Sequence, residues 1–190
     1  MATIGWSPGP RAGTSTGSSQ TTATSPISYG WQTRSASTAI NLEPCPECGA
    51  LAGGRDACQK LFDNLGLRAL EDSRYAAMRR LAVDCYACQH ARYVLSGRSL
   101  AAHLTGIAVA IEHGGAEQVN ERVQSWLSRT RHVEKPAVPR DRGKITIADV
   151  AGAPPEEYAA AVRRWAASVW DAWREHHALA REWIAAASPR

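Results

Sequence analysis

Five cysteines and six histidines carry most of the chemistry this sequence could perform. The sharpest local signal is Cys45-Pro46-Glu47-Cys48-Gly49. Two thiolates two residues apart on a tight turn can both reach one tetrahedral zinc ion, with proline and glycine shaping the turn and backbone N–H groups stabilising the thiolate charge. One such turn is half a site. For the other half, Cys85-Tyr86-Ala87-Cys88 repeats the spacing, Cys58 follows a Gly-rich loop at a helix start, and His90 closes a helical stretch. A four-cysteine site is the simplest arrangement. Cys85 and Cys88, however, fall in a helical pattern, where a free cysteine packs as a small apolar residue. Ligand and core readings of that pair stand side by side, with Cys58 and His90 the better third and fourth ligands.

The other histidines divide by setting. His103 lies among Ala, Leu and Ile on a helical stretch, the usual place for a hydrogen-bonded core histidine. His177 follows Trp170 by seven residues and Trp173 by four, so one imidazole and two indoles share a helical side. Rings so placed can wall a pocket for a small-molecule ligand beside one titratable group. A functional reading gathers His90, His103 and His177 with Tyr86 and Asp84 round one cavity, with His103, His177 and Tyr86 as candidate catalytic groups and the metal keeping an open position. The plainer reading makes the tryptophans the aromatic mass of the core, since the chain has seven Trp and one Phe. Ser-elbow, HExxH, phosphate-cradling and dinucleotide glycine motifs are all missing, so the common hydrolase, kinase and dehydrogenase mechanisms have no support.

These groups must be positioned by helices. A helix is expected from a cap at Asp56, with Leu61, Phe62 and Leu65 on one face, ending before Glu71-Asp72. Ser73 is the next cap candidate, and Tyr75, Arg79, Ala82, Tyr86 and His90 then fall along one stripe. Ser99 opens a third helix with Leu100, Leu104, Ile107 and Ile111 inward, stopped by Gly114-Gly115. Val119, Val123, Trp126 and Leu127 make a fourth. The proline-bearing, basic stretch from Arg129 to Gly143 is expected to be an exposed connector. Thr146 and Asp149 have capping-box spacing, and Pro154-Pro155-Glu156-Glu157 is a strong helix start. The helical pattern then runs to Ala187, with a break expected near His176-His177 because an unbroken helix would be about 50 Å long.

Residues 1–40 hold eight Ser and eight Thr, with Arg11 and Arg34 as their only charged side chains. They are expected to be a disordered tail, and residues 41–190 a single helical domain. The tail supplies half of the formal net charge of +4, so the domain is nearly neutral and offers no argument for nucleic-acid binding. No stretch approaches the roughly 20 apolar residues that span a bilayer, and there is no secretory leader pattern. Free thiols then point to the cytoplasm. Sequence leaves the oligomeric state open.

Several phrases together resemble a bacterial family of unknown function: Cys45-Pro46-Glu47-Cys48-Gly49-Ala50, Cys58 with Leu61-Phe62, Leu81 to His90, Ala102-His103-Leu104, and Trp165 to His177. The resemblance runs from about Asn41 to the C-terminus and carries no reaction. It implies a compact helical domain with a zinc-type turn, a third ligand at Cys58 and a Gln-His step at Gln89-His90. It also implies apolar residues at Cys85 and Cys88, which favours Cys45, Cys48, Cys58 and His90 as the metal set. Two positions depart from the pattern: Arg79 stands where relatives carry a histidine, and Ala91 where they carry a proline. The expectation is an all-α, compact multi-helix bundle with an irregular zinc-binding N-terminal loop, the metal structural. The alternative is a metal-dependent enzyme acting on a small molecule in secondary metabolism.

Overall fold

A computed structural model describes residues 42–188, so the expected tail, with Trp6 and Trp31, lies outside the described residues. Within them the chain is helical: α1 (Gly54–Glu71), α2 (Ser73–Ala76), α3 (Arg79–Gln89), α4 (Gly97–Glu112), α5 (Glu117–Arg129), α6 (Ile147–Val150), α7 (Pro155–Ala172) and α8 (His177–Ala186). No strand occurs among the described residues; Pro44 and Leu51 form one isolated bridge. The helix α3 sits at the centre, packed against α4 and α7, with α1 on a further side.

Several expected boundaries move for identifiable reasons. The helix α1 begins two residues before Asp56, behind Gly53 in the left-handed conformation, so Asp56 complements the helix dipole from the first turn and does not cap it. Asp72, one residue before Ser73, caps α2 by accepting from the Arg74 amide at 2.8 Å. The long stripe is interrupted between Ala76 and Arg79. Tyr75, Ala82, Tyr86 and His90 are still buried along it, whereas Arg79 is exposed. Ser96 caps α4 with Ser99 as the reciprocal partner, three residues earlier than expected. Leu100, Leu104 and Ile107 are fully buried, but Ile111 is 41% exposed near the end of the helix. Gly114 and Gly115 follow with positive φ, as expected.

The Thr146–Asp149 capping box is present, with Asp149 Oδ2 accepting from the Thr146 amide at 2.7 Å. Pro155 opens α7 with Glu156 and Glu157 in its first turn. The break near the histidine pair is a short 3-10 turn, Arg174–His176. The connector after α5 carries exposed arginines, yet it is tied down. Val133, Val138 and Ile145 pack on the core. Gln89, fully buried on α3, donates to the carbonyls of Arg142 (2.8 Å) and Ile145 (2.9 Å) and accepts from Trp165 Nε1 (2.9 Å). One amide thus joins three segments, which is why a polar side chain persists at this depth.

Candidate metal centre

The turn from Cys45 to Ala50 is closed by its own backbone. The Cys45 amide donates to the Ala50 carbonyl and the Gly49 amide to the Cys45 carbonyl, both at 2.8 Å. Gly49 takes φ of 77°, a conformation that favours glycine after the second cysteine. The chain then returns to α1, where the amides of Gly53 and Gly54 both donate to the Glu43 carbonyl. Cys58, on the second turn of α1, and His90, at the C-terminal end of α3, face this turn.

The four side chains converge. The sulfurs of Cys45, Cys48 and Cys58 and a ring nitrogen of His90 all lie within 4.8 Å of one another, and all four residues are buried. Cys48 Sγ is 3.7 Å from Cys58 Sγ, and His90 Nε2 is 3.5 Å from Cys58 Sγ and 3.8 Å from Cys45 Sγ. A zinc ion bound at about 2.3 Å by sulfur and 2.0 Å by nitrogen sets its ligand atoms about 3.5–3.8 Å apart at the corners of a tetrahedron. The donor set and its spacing therefore fit a metal ion.

The surroundings orient these donors. His90 Nδ1 lies 2.6 Å from the Tyr86 carbonyl oxygen, which accepts its proton and leaves Nε2 with a free lone pair toward the sulfurs. The Tyr86 ring is stacked between His90 (centroids 3.8 Å apart) and Phe62 (4.0 Å). Its hydroxyl lies 3.8 Å from Cys58 Sγ and accepts from Arg92 Nη2 at 3.1 Å. Gln59 Oε1 accepts from Arg92 (2.7 Å) and Tyr93 (2.7 Å), and Arg92 pairs with Glu47 at 3.1 Å. Three thiolates around a divalent ion would leave one net negative charge, which the nearby Arg92 guanidinium would partly offset.

Without a cation the sulfurs of Cys48 and Cys58 cannot both ionise. The hydrogen bond from Cys48, with His90 beside it, draws the Cys58 thiol down to about 4, while Cys48 is pushed far up by the same contact and by burial. Burial and the neighbouring Cys58 push the Tyr86 phenol up, so Tyr86 stays a hydrogen-bonding phenol here. Burial likewise raises Cys85 and Cys88 well above the usual thiol range. Both are fully buried and stand apart from the cluster.

The remaining candidate residues lie in other places. His103 Nδ1 lies 2.9 Å from Asp84 Oδ1, joining α4 to α3. His177 stacks on Trp170 with ring centroids 3.7 Å apart, and its Nε2 lies 2.8 Å from the Trp170 carbonyl. Trp173 is fully buried and Trp170 is 7% exposed, so these indoles belong to the core. Three histidines thus serve three separate contacts. Gln59 and Arg92 are site-supporting residues that the sequence reading does not single out, whereas Gln89 is marked there by the Gln-His step. For Arg92 and Gln59 the available signal was adjacency: each sits one or two residues from a ligand.

The fold and site define a class, an all-helical protein with a buried Cys3His group suited to a metal ion. The chain belongs to a family of unknown function (DUF5946), matched over residues 43–174. No curated protein and no solved structure matches it.

Proposed function

We propose that the chain is a zinc protein whose metal is structural, held by Cys45, Cys48, Cys58 and His90. The observation that carries this reading is the convergence of four buried donors within 4.8 Å of one another, three of the contacts at 3.5–3.8 Å, with the His90 tautomer set by the Tyr86 carbonyl. Three thiolates and one imidazole are a soft donor set that favours zinc over harder cations. Four protein donors saturate a tetrahedral ion, so the metal pins the 42–53 loop to α1 and α3 and has no vacant position for substrate. The alternative of a metal-dependent enzyme requires such a position. Five buried free cysteines accord with a reducing compartment such as the cytoplasm. No helix among the described residues is long and apolar enough to cross a membrane.

The test is elemental analysis of purified protein with parallel thermal melts. The wild type is expected to carry one zinc per chain and Cys45→Ser close to none, with a lower Tm. Absence of stoichiometric metal in the wild type, or unchanged zinc and Tm in C45S, would refute the proposal.

A further inference from the structure

Between α1 and α3 lies an open cleft of about 470 Å³, floored by Tyr158 from the first turn of α7. Its walls are apolar, with Phe62 and Leu65 on α1 and Val83 on α3, and its lip is formed by Leu67 and Leu70, 58% and 74% exposed. Leucines so placed leave apolar surface in water, and a concave apolar surface with few polar groups is the usual form of a small-molecule site. Two side chains of opposite charge stand on the rim, Arg79 and Asp63, and Asp63 accepts from Gln59 Nε2 at 2.8 Å. The rim is thus balanced in charge, which favours an uncharged occupant.

Two independent observations point to that occupant. The first is Tyr158, which is 1% exposed and packs on Tyr75 with ring centroids 4.4 Å apart. The Tyr75 hydroxyl donates to the Ala153 carbonyl at 2.9 Å, whereas the Tyr158 hydroxyl donates to no described residue. Burial pushes the Tyr158 phenol up to about 12, so it keeps its proton. A buried O–H without an acceptor loses its hydration and gains nothing in return, and the open space beside this one is the cleft. The second observation is Gly66, inside α1 and lining the same cleft. Glycine is the poorest helix former after proline. A β-carbon at Gly66 would meet no atom within 4 Å, so no neighbour requires the glycine. What it preserves is depth in the cleft.

We infer that the cleft between α1 and α3 binds a small, uncharged, mainly apolar molecule bearing one carbonyl-type oxygen. That oxygen accepts from Tyr158 Oη on the floor, and the carbon skeleton lies over Gly66 between the apolar walls. The site shares α1 and α3 with the metal centre but none of its ligands.

The experiment is an NMR titration of the full chain as purified, following the methyl signals of Leu67, Leu70 and Val83, with acetophenone in one arm and benzoate, its charged counterpart, in the other. A saturable shift at millimolar acetophenone is expected, with benzoate weaker by about tenfold or more, because its charge must be desolvated. Tyr158→Phe keeps the ring against Tyr75 and removes only the donor, so acetophenone should bind about three- to tenfold more weakly. Gly66→Ala should weaken binding by filling the cleft while Tm holds or rises, since alanine is the better helix former. No saturable shift up to about 20 mM acetophenone, benzoate binding as tightly, or affinity undiminished in either variant would overturn the inference.

Discussion

The helix α3 uses buried polar groups in opposite ways at its centre and at its C-terminal end. At its C-terminal end Tyr86 and His90 join a cluster in which sulfurs and imidazole nitrogen converge from three segments and the second ring nitrogen is satisfied by a carbonyl. At its midpoint Asp84 is also buried, but one carboxylate oxygen lacks a hydrogen bond and its partner histidine opens on a cleft. A closed polar cluster stabilises the chain around it. An incomplete one costs stability.

The largest effect should separate the two cysteine sets. Cys58→Ser is expected to abolish zinc binding and lower stability by about 3–5 kcal/mol, on the order of 10 °C in Tm, and chelation of the wild type should reproduce the drop. Cys85→Ala should leave zinc content intact and cost about 1 kcal/mol, the price of a small cavity. Metal analysis with melts checks both, and zinc loss in the Cys85 variant would dissolve the distinction. Next comes Gly106→Ala. The added methyl must displace the Asp84 carboxylate, so a loss of about 2–3 kcal/mol is expected in denaturant melts. Asp84→Ala made on that background should recover much of it, because the two sites share one contact. Simple additivity would mean that the close approach is not what Gly106 provides.

How much of this was legible in the sequence depends on whether the signal was local. The CPxC turn carries its geometry in five consecutive residues, and Cys58 and His90 lie near helix ends that punctuation and periodicity expose. The helical class followed from the same periodicity, as did the breaks at Gly114-Gly115 and the 3-10 turn before His177. What failed was fine placement. Asp72 and Ser96 out-competed Ser73 and Ser99 as caps because each stands one to three residues earlier with an acceptor already in reach of the first free amides. The connector read as exposed because prolines and arginines dominate it, while its anchoring depends on Gln89, more than fifty residues away. Asp84 and His103 were visible as residues, but their pairing is tertiary, and no local pattern reports that a glycine one turn beyond His103 makes room for a carboxylate.

The metal centre itself has an inner and an outer layer, and these should differ by more than an order of magnitude in effect. Gln59→Ala removes the acceptor that gathers Arg92 and Tyr93 while leaving all four ligands. Zinc affinity, measured by competition with a chromophoric chelator, is expected to fall about 10- to 100-fold with the metal still bound at saturation. An affinity equal to wild type would confine the site to its four donors.

The smallest effect contrasts the buried carboxylate with an exposed one through the sign of its pH dependence. Glu112, at the end of α4, accepts two hydrogen bonds from Arg181 of α8, at 2.7 and 2.9 Å, and that contact lowers its carboxyl below the ordinary 4.5. A group lowered on folding contributes stability that is present above its unfolded value and lost as pH falls through the folded one. Asp84 is raised by burial above 3.8, so its contribution is full below that value and is lost as pH rises through its folded pKa. Urea melts across the acid range should therefore show Glu112→Gln flattening one slope and Asp84→Asn the opposite slope. The Glu112 effect should also fade near 1 M salt, because Arg181 is solvent-exposed and the pair is screened, whereas the Asp84 effect should persist. If both variants shift the profile in the same direction, Asp84 is stabilised by its partners more than it is penalised by burial, and the contrast between the centre and the C-terminal end of α3 disappears.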